Sequence, residues 1–196
     1  MIAFLSGKLV QKEPTHVLID VSGVGYMVKI SLQTYQNLHN SGEHIKIHTY
    51  LLVKEDAHTL YGFSDMSEKI LFEQLISVSG IGPGTAMVML SSLTTGEIIQ
   101  AMVSEDVRTI QGIKGIGAKT AQRAILELKD KLRKSLEDGG MSVNTGNPSL
   151  QIRNEALAAL VILGIPKPTA EKSVDIILKR TNGDITVEEL IKLALR

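Results

Sequence analysis

GIKGIGAKTAQRAI, residues 112–125, places Gly115 and Gly117 on either side of an isoleucine, directly before a pattern typical of a helix. A second copy exists upstream, because GIGPGTA over residues 80–86 matches GIGAKTA over residues 115–121 at a constant offset of 35 positions. A repeat of this kind usually means that one supersecondary unit is used twice. The sequence therefore predicts two copies of a tight turn followed by a helix.

Two glycines around an apolar residue permit a tight turn with positive φ, which we expect at Gly117. The enclosed Ile81 or Ile116 is expected to pack between two helices, so that the backbone amides of the turn point outward. Free amides at a helix N-terminus favour phosphate, and such a contact positions a nucleic-acid backbone without reading its sequence. The candidate DNA-binding residues are Gly80, Gly82, Gly84, Thr85, Gly115, Gly117, Lys119, Thr120 and Arg123.

The charge around the second copy supports this interpretation. Residues 107–134 contain eight Lys or Arg and two acidic residues, a local charge of +6 in a chain whose formal net charge is zero. A plain helical corner with a glycine cap and a solvated basic face is the alternative. The repeat and the basic setting together favour a surface that faces phosphates.

Length and composition restrict the remaining possibilities. A chain of 196 residues can bury a sizeable core and hold one to three small domains. It has no cysteine, which excludes disulfides, thiolate nucleophiles and cysteine-ligated metals. The first ten residues lack the pattern of a signal peptide, and no apolar run approaches the length of a membrane span. We expect a soluble, cytoplasmic protein.

Residues 1–64 have the alternation of β-strands, with a turn at Ser22–Gly23 and a short helical piece near 32–38. Five short strands with one inserted helical turn predict a small barrel of the OB type. The whole chain has three Phe, four Tyr and no Trp, most of them expected in the core, so a surface for stacking bases is not expected. All five histidines lie in this region without forming a metal-ligand set.

Two adjacent carboxylates, Glu55 and Asp56, stand between the last two predicted strands. An ordinary polar β-turn is one interpretation, and a metal site built on paired carboxylates is the other. Adjacent residues on an extended segment point to opposite sides and chelate poorly, so no metal site is predicted.

Residues 65–137 have helical periodicity. Ser67 is expected to cap the first helix, Thr94 and Glu97 to form a capping box, and Ser104 to cap the short helix before the second glycine turn. Residues 138–150 are rich in Gly, Asn and Ser and predict a flexible linker. Residues 151–196 predict three short helices in a small bundle, similar to UBA-like domains, with the balanced charge of a protein-docking module.

Both glycine turns resemble the helix-hairpin-helix motif of DNA-binding proteins. The complete order of barrel with acidic turn (1–64), tandem hairpins, linker and three-helix domain resembles the RuvA family of Holliday-junction-binding subunits. This resemblance covers the full chain, and its most specific parts are the two hairpins, VSGVGY at 21–26 and KEDAHTLYGF at 54–63. It implies an α+β multidomain fold: an OB-like barrel, an all-α tandem hairpin domain and a UBA-like domain.

The same resemblance implies that the chain binds four-way DNA junctions, without catalysis of its own, for branch migration in recombination and repair. Glu55 and Asp56 would form the family's acidic pin, and Gly84 departs from the basic residue that the family commonly carries there. The implied assembly is a homotetramer or octamer that recruits a RuvB-like hexameric ATPase, with a RuvC-like resolvase as a further partner. ATP and Mg would be used by the motor, so no cofactor or metal is expected in this chain. Leu163 and Ile165 are candidate docking residues, with core packing as the alternative.

Three rival functions remain open at this point. A hairpin-containing DNA glycosylase or lyase would use Lys119 as a Schiff-base lysine with an acid at Asp130, Glu137 or Asp138, but nothing resembles an aromatic base-flipping pocket. A nucleotide-binding P-loop over residues 112–120 has spacing wrong by one residue and no preceding strand. A DNA scaffold without junction preference is the third possibility.

Overall fold

The computed structural model describes residues 2–137, 148–165, 167–181 and 185–195. The chain divides into two units, Met1–Lys134 and Ser135–Arg196. The first unit contains the β-strands and the glycine turns, and the second is helical.

Five strands close into a barrel in the order β1-β2-β3-β5-β4, in which only the β3–β5 pair is parallel. The strands are β1 (Phe4–Glu13), β2 (His16–Val21), β3 (Val24–Ile30), β4 (His44–Val53) and β5 (His58–Phe63). Alternate side chains such as Val17, Ile19 and Ile47 are fully buried inside the barrel. Ser22 and Gly23 form the predicted turn with φ of 53° and 90°, and α1 (Leu32–Asn37) follows β3. The predicted OB-like barrel is confirmed.

The hairpin region consists of α2 (Met66–Ile76), α3 (Pro83–Ser92), α4 (Thr95–Val103), α5 (Val107–Gln111) and α6 (Ala118–Glu137). The capping box of Thr94 and Glu97 is confirmed. The other two predicted caps are wrong, because carboxylates occupy both positions and suit the positive end of a helix better. Asp65 caps α2, with Ser67 donating to its carboxylate over 2.5 Å, and Asp106 caps α5, while Ser104 ends α4.

An aromatic cluster attaches α2 to the barrel. The ring of Phe72 lies 5.5 Å from Tyr50, 5.2 Å from Tyr61 and 5.0 Å from Phe63, measured between ring centroids. These contacts join α2 to β4 and β5, the two strands that enclose the acidic turn. Phe63, Phe72 and Tyr61 are buried as predicted, whereas Phe4 is 52% exposed.

The second unit packs α7 (Pro148–Ile162), α8 (Lys167–Arg180) and α9 (Val187–Ala194) around one apolar core. That core comprises Ala156, Leu160, Ala170, Val174, Ile185 and Leu190. Residues 138–147 of the expected linker lie outside the described residues, and its last three residues belong to α7. Two apolar residues of this unit, Val161 on α7 and Leu193 on α9, lie outside that core and are each 44% exposed.

No single helix in the described ranges is both long and apolar enough to span a membrane. Helices α3 and α4 reach the necessary length and apolar composition only when taken together, and a bend of 102° separates them.

Candidate nucleic-acid interface

The two glycine turns have the same backbone geometry. Gly80 has a φ of 97° and Gly115 a φ of 91°, so in each turn the first glycine adopts the left-handed conformation. The amide of Ile81 donates to the carbonyl of Val78 over 3.0 Å, and that of Ile116 to the carbonyl of Ile113 over 3.2 Å. The repeat read from the sequence is thus one structural unit used twice.

The expectation of positive φ at Gly117 is wrong, because the left-handed residue of this turn is Gly115, two positions earlier. Gly117 lies outside the left-handed region, as does its counterpart Gly82, whose φ is −85° in the extended conformation that suits a helix N-cap. A Cβ added at either position would meet nothing within 4 Å. These two glycines are therefore not needed for the turn itself, and what they provide is an open surface.

Each turn leads straight into a helix whose first residues are exposed or partly exposed. Ile81 and Ile116 are buried, 3% and 6% exposed, as predicted. The first helical bonds run over 2.9 Å from Ala86 to the carbonyl of Gly82 and from Ala121 to that of Gly117. Amides before these positions have no partner within their own helix, and Gly82 supplies no capping side chain. Such helix starts suit an anionic oxygen.

The first turn and the start of α6 meet at a cleft. A Cβ on Gly80 would lie 3.7 Å from the Thr120 side chain, so the first turn approaches the start of the second turn's helix. The cleft has a volume of about 380 Å³ and is lined by Ser79, Gly80, Lys119, Thr120, Gln122 and Arg123. Sequence reasoning missed Ser79 and Gln122. The only available signal was their place beside the glycines and cations of the repeat.

The cations are distributed unequally between the two hairpins. At the offset of 35 positions, Lys119 corresponds to Gly84 and Arg123 to Val88, so the first hairpin has an uncharged residue wherever the second has a cation in its helix. Lys119 and Arg123 are both exposed. Side-chain charge on this surface therefore comes from α6, and the first hairpin offers backbone amides.

Part of the local positive charge is engaged within the protein. Arg123 pairs with Glu127 across 3.6 Å on the exposed side of α6. Lys129 pairs with Glu105, a residue whose φ of 59° places it in the left-handed region at the end of α4. The +6 counted along residues 107–134 already includes Glu127, but Glu105 lies outside that range, so its pairing with Lys129 lowers the effective positive charge of this surface further.

Glu55 and Asp56 occupy the tip of the hairpin between β4 and β5. The amide of Lys54 donates to the carbonyl of Ala57 over 2.9 Å and closes the turn. Both carboxylates are exposed, and neither forms a hydrogen bond or an ion pair with any described residue. No group of three His, Asp or Glu side chains in the described ranges converges on a metal position.

Three family models match the chain in order. They are the RuvA N terminal domain over residues 1–62, the SAM-like helix-hairpin-helix tandem over residues 72–130, and the RuvA C-terminal domain over residues 151–196. A relative from Cytophaga hutchinsonii is 52% identical over 198 residues, which cover 100% of this chain and 99% of the relative. The chain belongs to the RuvA family.

Further RuvA relatives agree along the full length. One from Christiangramia forsetii is 50% identical over 196 residues, covering 100% of this chain and 99% of the relative. One from Chlorobium limicola is 42% identical over 198 residues, covering 100% and 97%. All three relatives are described as the Holliday junction branch migration complex subunit RuvA. The family resemblance and the fold class stated from the sequence are confirmed.

Membership of the RuvA family and the geometry both disfavour the enzymatic rivals. Lys119 and Asp130 lie on the same helix eleven positions apart, roughly 16 Å along its axis, so they cannot act on one atom. The side chain of Glu137 and all of Asp138 lie outside the described residues. Gly112 follows helix α5 and not a strand, so the P-loop resemblance lacks its structural context.

The two candidate docking residues of this RuvA chain differ in environment. Leu163 is 60% exposed, whereas Ile165 is half-buried and packs against the core of the second unit. The amide of Ile165 also donates to the carbonyl of Leu160 over 3.0 Å, which anchors the end of α7. Leu163 is thus available to a partner, and Ile165 has a structural role that explains its apolar character.

Proposed function

We propose that this chain is the DNA-binding subunit of a branch migration complex, and that it binds four-way (Holliday) junctions and holds them open. The observation that carries this proposal is the combination, within one unit, of two outward-facing helix-hairpin-helix turns and one exposed acidic turn. Full-length similarity to relatives described as the Holliday junction branch migration complex subunit RuvA supports it. The proposed process is recombination and repair of DNA in the bacterial cytoplasm.

The hairpins are proposed to hold one arm of the junction by its phosphates. Amides at Gly82, Gly84 and Thr85 would receive one phosphate and those around Gly117 another, while Lys119 and Arg123 add charge. Because these contacts avoid base edges, binding is independent of sequence. Four copies around a fourfold axis would match the four arms, so we propose a homotetramer, alone or paired face to face as an octamer.

The acidic turn is proposed to act as a repulsive pin. In a fourfold assembly, four tips with Glu55 and Asp56 would converge near the strand crossover. One carboxylate–phosphate repulsion at ~10 Å in water is about 0.4 kcal/mol. Eight carboxylates acting on several phosphates reach a few kcal/mol before salt screening reduces them. This repulsion would keep the strands apart without a metal and without cleaving them.

The motor of the complex is proposed to be a separate chain. A RuvB-like hexameric ATPase would bind ATP and Mg, and this chain would contribute no catalysis and carry no cofactor. The exposed end of α7 offers a docking surface, since Leu163 is 60% exposed and the adjacent Ile162 is 84% exposed. A RuvC-like resolvase is proposed as a further partner at the junction.

Competition between DNA structures tests the junction proposal. A labelled four-way junction is bound at several salt concentrations and challenged with unlabelled junction or with a duplex of the same total length. We expect the junction to compete much more strongly than the duplex. The double variant Glu55→Gln/Asp56→Asn is expected to bind duplex more tightly, whereas Glu13→Gln/Glu43→Gln, an equal charge change elsewhere on the barrel surface, is not. Equal competition by duplex would show that the chain is a general DNA scaffold.

Stimulation of the partner ATPase tests the docking proposal. A fragment ending at Glu137 is expected to bind junctions and fail to stimulate the motor. In the full chain, Leu163→Ser is expected to reduce stimulation, while Ile176→Ser, which alters a comparably exposed residue on α8, is not. Full stimulation by the fragment would assign motor docking to the first unit.

A further inference from the structure

A fully buried carboxylate lies in the first unit, outside both the glycine turns and the acidic turn. Glu68, in the first turn of α2, is 0% exposed. One of its oxygens accepts a hydrogen bond from the Ser31 hydroxyl, and the other accepts from the Thr34 hydroxyl over 2.6 Å. Burying a charged group is costly unless hydrogen bonds compensate it, so this network calls for a structural explanation.

The network joins the barrel to the hairpin helices. Ser31 and Thr34 belong to the start of α1, which follows strand β3, and the Ser31 hydroxyl also accepts from the amide of Thr34 over 3.0 Å. The Thr34 hydroxyl accepts in turn from the amide of Ser64, over 3.0 Å, at the point where the barrel ends and α2 begins. Glu68 therefore links three segments: the end of β5, helix α1 and helix α2.

Helix α2 connects the two features on which the proposed function depends. Its N-terminal end follows β5, one of the two strands that enclose Glu55 and Asp56, and its C-terminal end leads into the turn at Gly80. A change in the angle of α2 at its first turn would therefore move the phosphate-binding turn relative to the acidic turn. Helix α1 also contacts α3, through a hydrogen bond from the amide of Leu32 to the Ser91 hydroxyl over 3.1 Å.

We propose that Glu68 is a positioning residue for junction recognition, whose protonation state sets how firmly the hairpins are held relative to the acidic turn. This inference rests on the proposed function for its consequence at a junction, although the joint itself is independent of DNA. The ligand remains the four-way junction, and Glu68 acts on it only through the placement of α2.

The surroundings of Glu68 shift the protonation of its carboxyl group toward neutral pH. Burial raises the pKa of its carboxyl to about 7, the Asp65 carboxylate adds to this rise, and the bonds from Ser31, Thr34 and the Ser64 backbone oppose it. The neighbouring cation Lys69 pairs with Glu73 at 3.9 Å. The pKa of His48 on β4 is lowered, first by burial. The charge of Lys69 also lowers it, and the charge of Asp65 opposes this change.

Both protonation states can keep the joint closed, but not equally firmly. The hydroxyls of Ser31 and Thr34 each carry a donor and two acceptor sites, so they can donate to the carboxylate or accept from the carboxylic acid. Because the raised pKa shows that the buried environment favours the neutral form, the ionised form holds the joint less firmly. The joint is thus tightest at acidic pH and loosens progressively as pH rises from about 4.5 to about 7, with the last of this stabilisation lost just above that value.

A distance measurement tests the joint without DNA. The chain has no cysteine, so cysteines introduced at Ala57 in the acidic turn and Ser92 at the end of α3 take spin labels at those two positions alone. Doubly labelled chains, diluted with unlabelled protein, report the distance distribution within one subunit. We expect this distribution to broaden between pH 6 and pH 8.5, to stay narrow at both values in Glu68→Gln, and to be broad at both in Thr34→Val. Identical distributions in all three proteins would overturn the inference.

A pH series of DNA binding tests the consequence for recognition. The ratio of junction to duplex affinity is expected to fall by about threefold from pH 6 to pH 8.5 in the unmodified chain, as the holding state loses population. In Glu68→Gln, the ratio of junction to duplex affinity is expected to stay at its pH 6 value over the whole range. Glu73→Gln, a carboxylate change one turn along the same helix, is expected to follow the unmodified chain. Superimposable profiles of Glu68→Gln and the unmodified chain would overturn the inference, whereas a ratio of one at every pH would instead overturn the proposed function.

Discussion

Exchanging single glycines for alanine should separate the stability of a hairpin turn from its binding of DNA. Gly115 has a φ of 91°, and a Cβ there would meet nothing within 4 Å, so Gly115→Ala introduces backbone strain without a steric clash. The left-handed conformation costs an L-residue roughly 1–2 kcal/mol. Alanine also leaves the unfolded chain less conformational freedom than glycine does, which offsets about 0.4–1 kcal/mol of this cost. We therefore expect a loss of about 1 kcal/mol, or roughly 2–4 °C in Tm for a protein of this size.

Gly117→Ala should have the opposite profile. Gly117 lies outside the left-handed region and a Cβ there also meets nothing within 4 Å, so the fold accepts alanine. Alanine is a somewhat poorer N-cap than glycine, which costs roughly half a kcal/mol. The added methyl group, however, would stand on the surface where a phosphate must approach the first amides of α6. A loss of about 1.4 kcal/mol of binding, equal to tenfold in Kd, is the expected outcome.

Thermal unfolding followed by circular dichroism measures the first effect, and fluorescence anisotropy with a labelled junction measures the second. Gly80→Ala and Gly82→Ala repeat the comparison in the first copy, where the Cβ on Gly80 makes only an ordinary contact of 3.7 Å with Thr120. If Gly117→Ala bound DNA like the unmodified chain at low salt, the phosphate would not approach this helix start. If Gly115→Ala were as stable as the unmodified chain, the left-handed turn would not be maintained in solution.

Three further predictions concern single side chains. Gly84→Lys places a cation in open space at the counterpart of Lys119, so junction affinity should rise at low salt and the slope of log K against log salt should steepen by about one unit. Glu68→Gln removes a carboxyl whose pKa rises from 4.5 to about 7 on folding. The unmodified chain should therefore lose stability as pH rises through that range. In urea titrations, the free energy of unfolding of the variant should exceed that of the unmodified chain by about 3 kcal/mol at pH 8, and the two should be similar at pH 5. Glu105→Gly relieves a left-handed φ but removes the partner of Lys129. Because an exposed ion pair contributes little to stability, Tm should stay within a few degrees; a large drop would show that the pair holds α4 against α6.

Periodic features of the chain were predictable because they depend on local pattern. Alternation in residues 17–30 specified a hairpin whose inward residues could only be apolar, and the turn at Ser22–Gly23 required left-handed conformations. The offset of 35 positions specified two equal turns without knowledge of their surroundings. In both cases the pattern that decides the local structure lies in one short stretch of the chain, residues 17–30 for the hairpin and residues 80–86 or 115–121 for each turn.

Features that depend on residues distant in the chain were not predictable in this way. The cleft arises because Gly80 meets Thr120, forty positions away, and no local pattern encodes that contact. A glutamate is usually exposed, and only the hydroxyls of Ser31 and Thr34, more than thirty positions before it in the chain, make the burial of Glu68 possible. Leu163 and Ile165 look equivalent in sequence, and only the folded bundle distinguishes the exposed one from the packed one.

The chain has a net charge of zero, but it carries a cluster of cations on α6 and a pair of carboxylates at the acidic turn. These two groups have separate effects. Screening limits the reach of each exposed charge to about 8 Å at physiological salt, so the cations of α6 and the carboxylates of Glu55 and Asp56 each act mainly on the phosphates nearest to them. Affinity for any duplex should follow the cations Lys119 and Arg123, and should fall steeply with salt because counterions are released. Preference for a junction should follow the carboxylates, which act only where several tips surround one crossover. The two properties are therefore separable by mutation, because the cations lie on α6 and the carboxylates lie in the turn between β4 and β5.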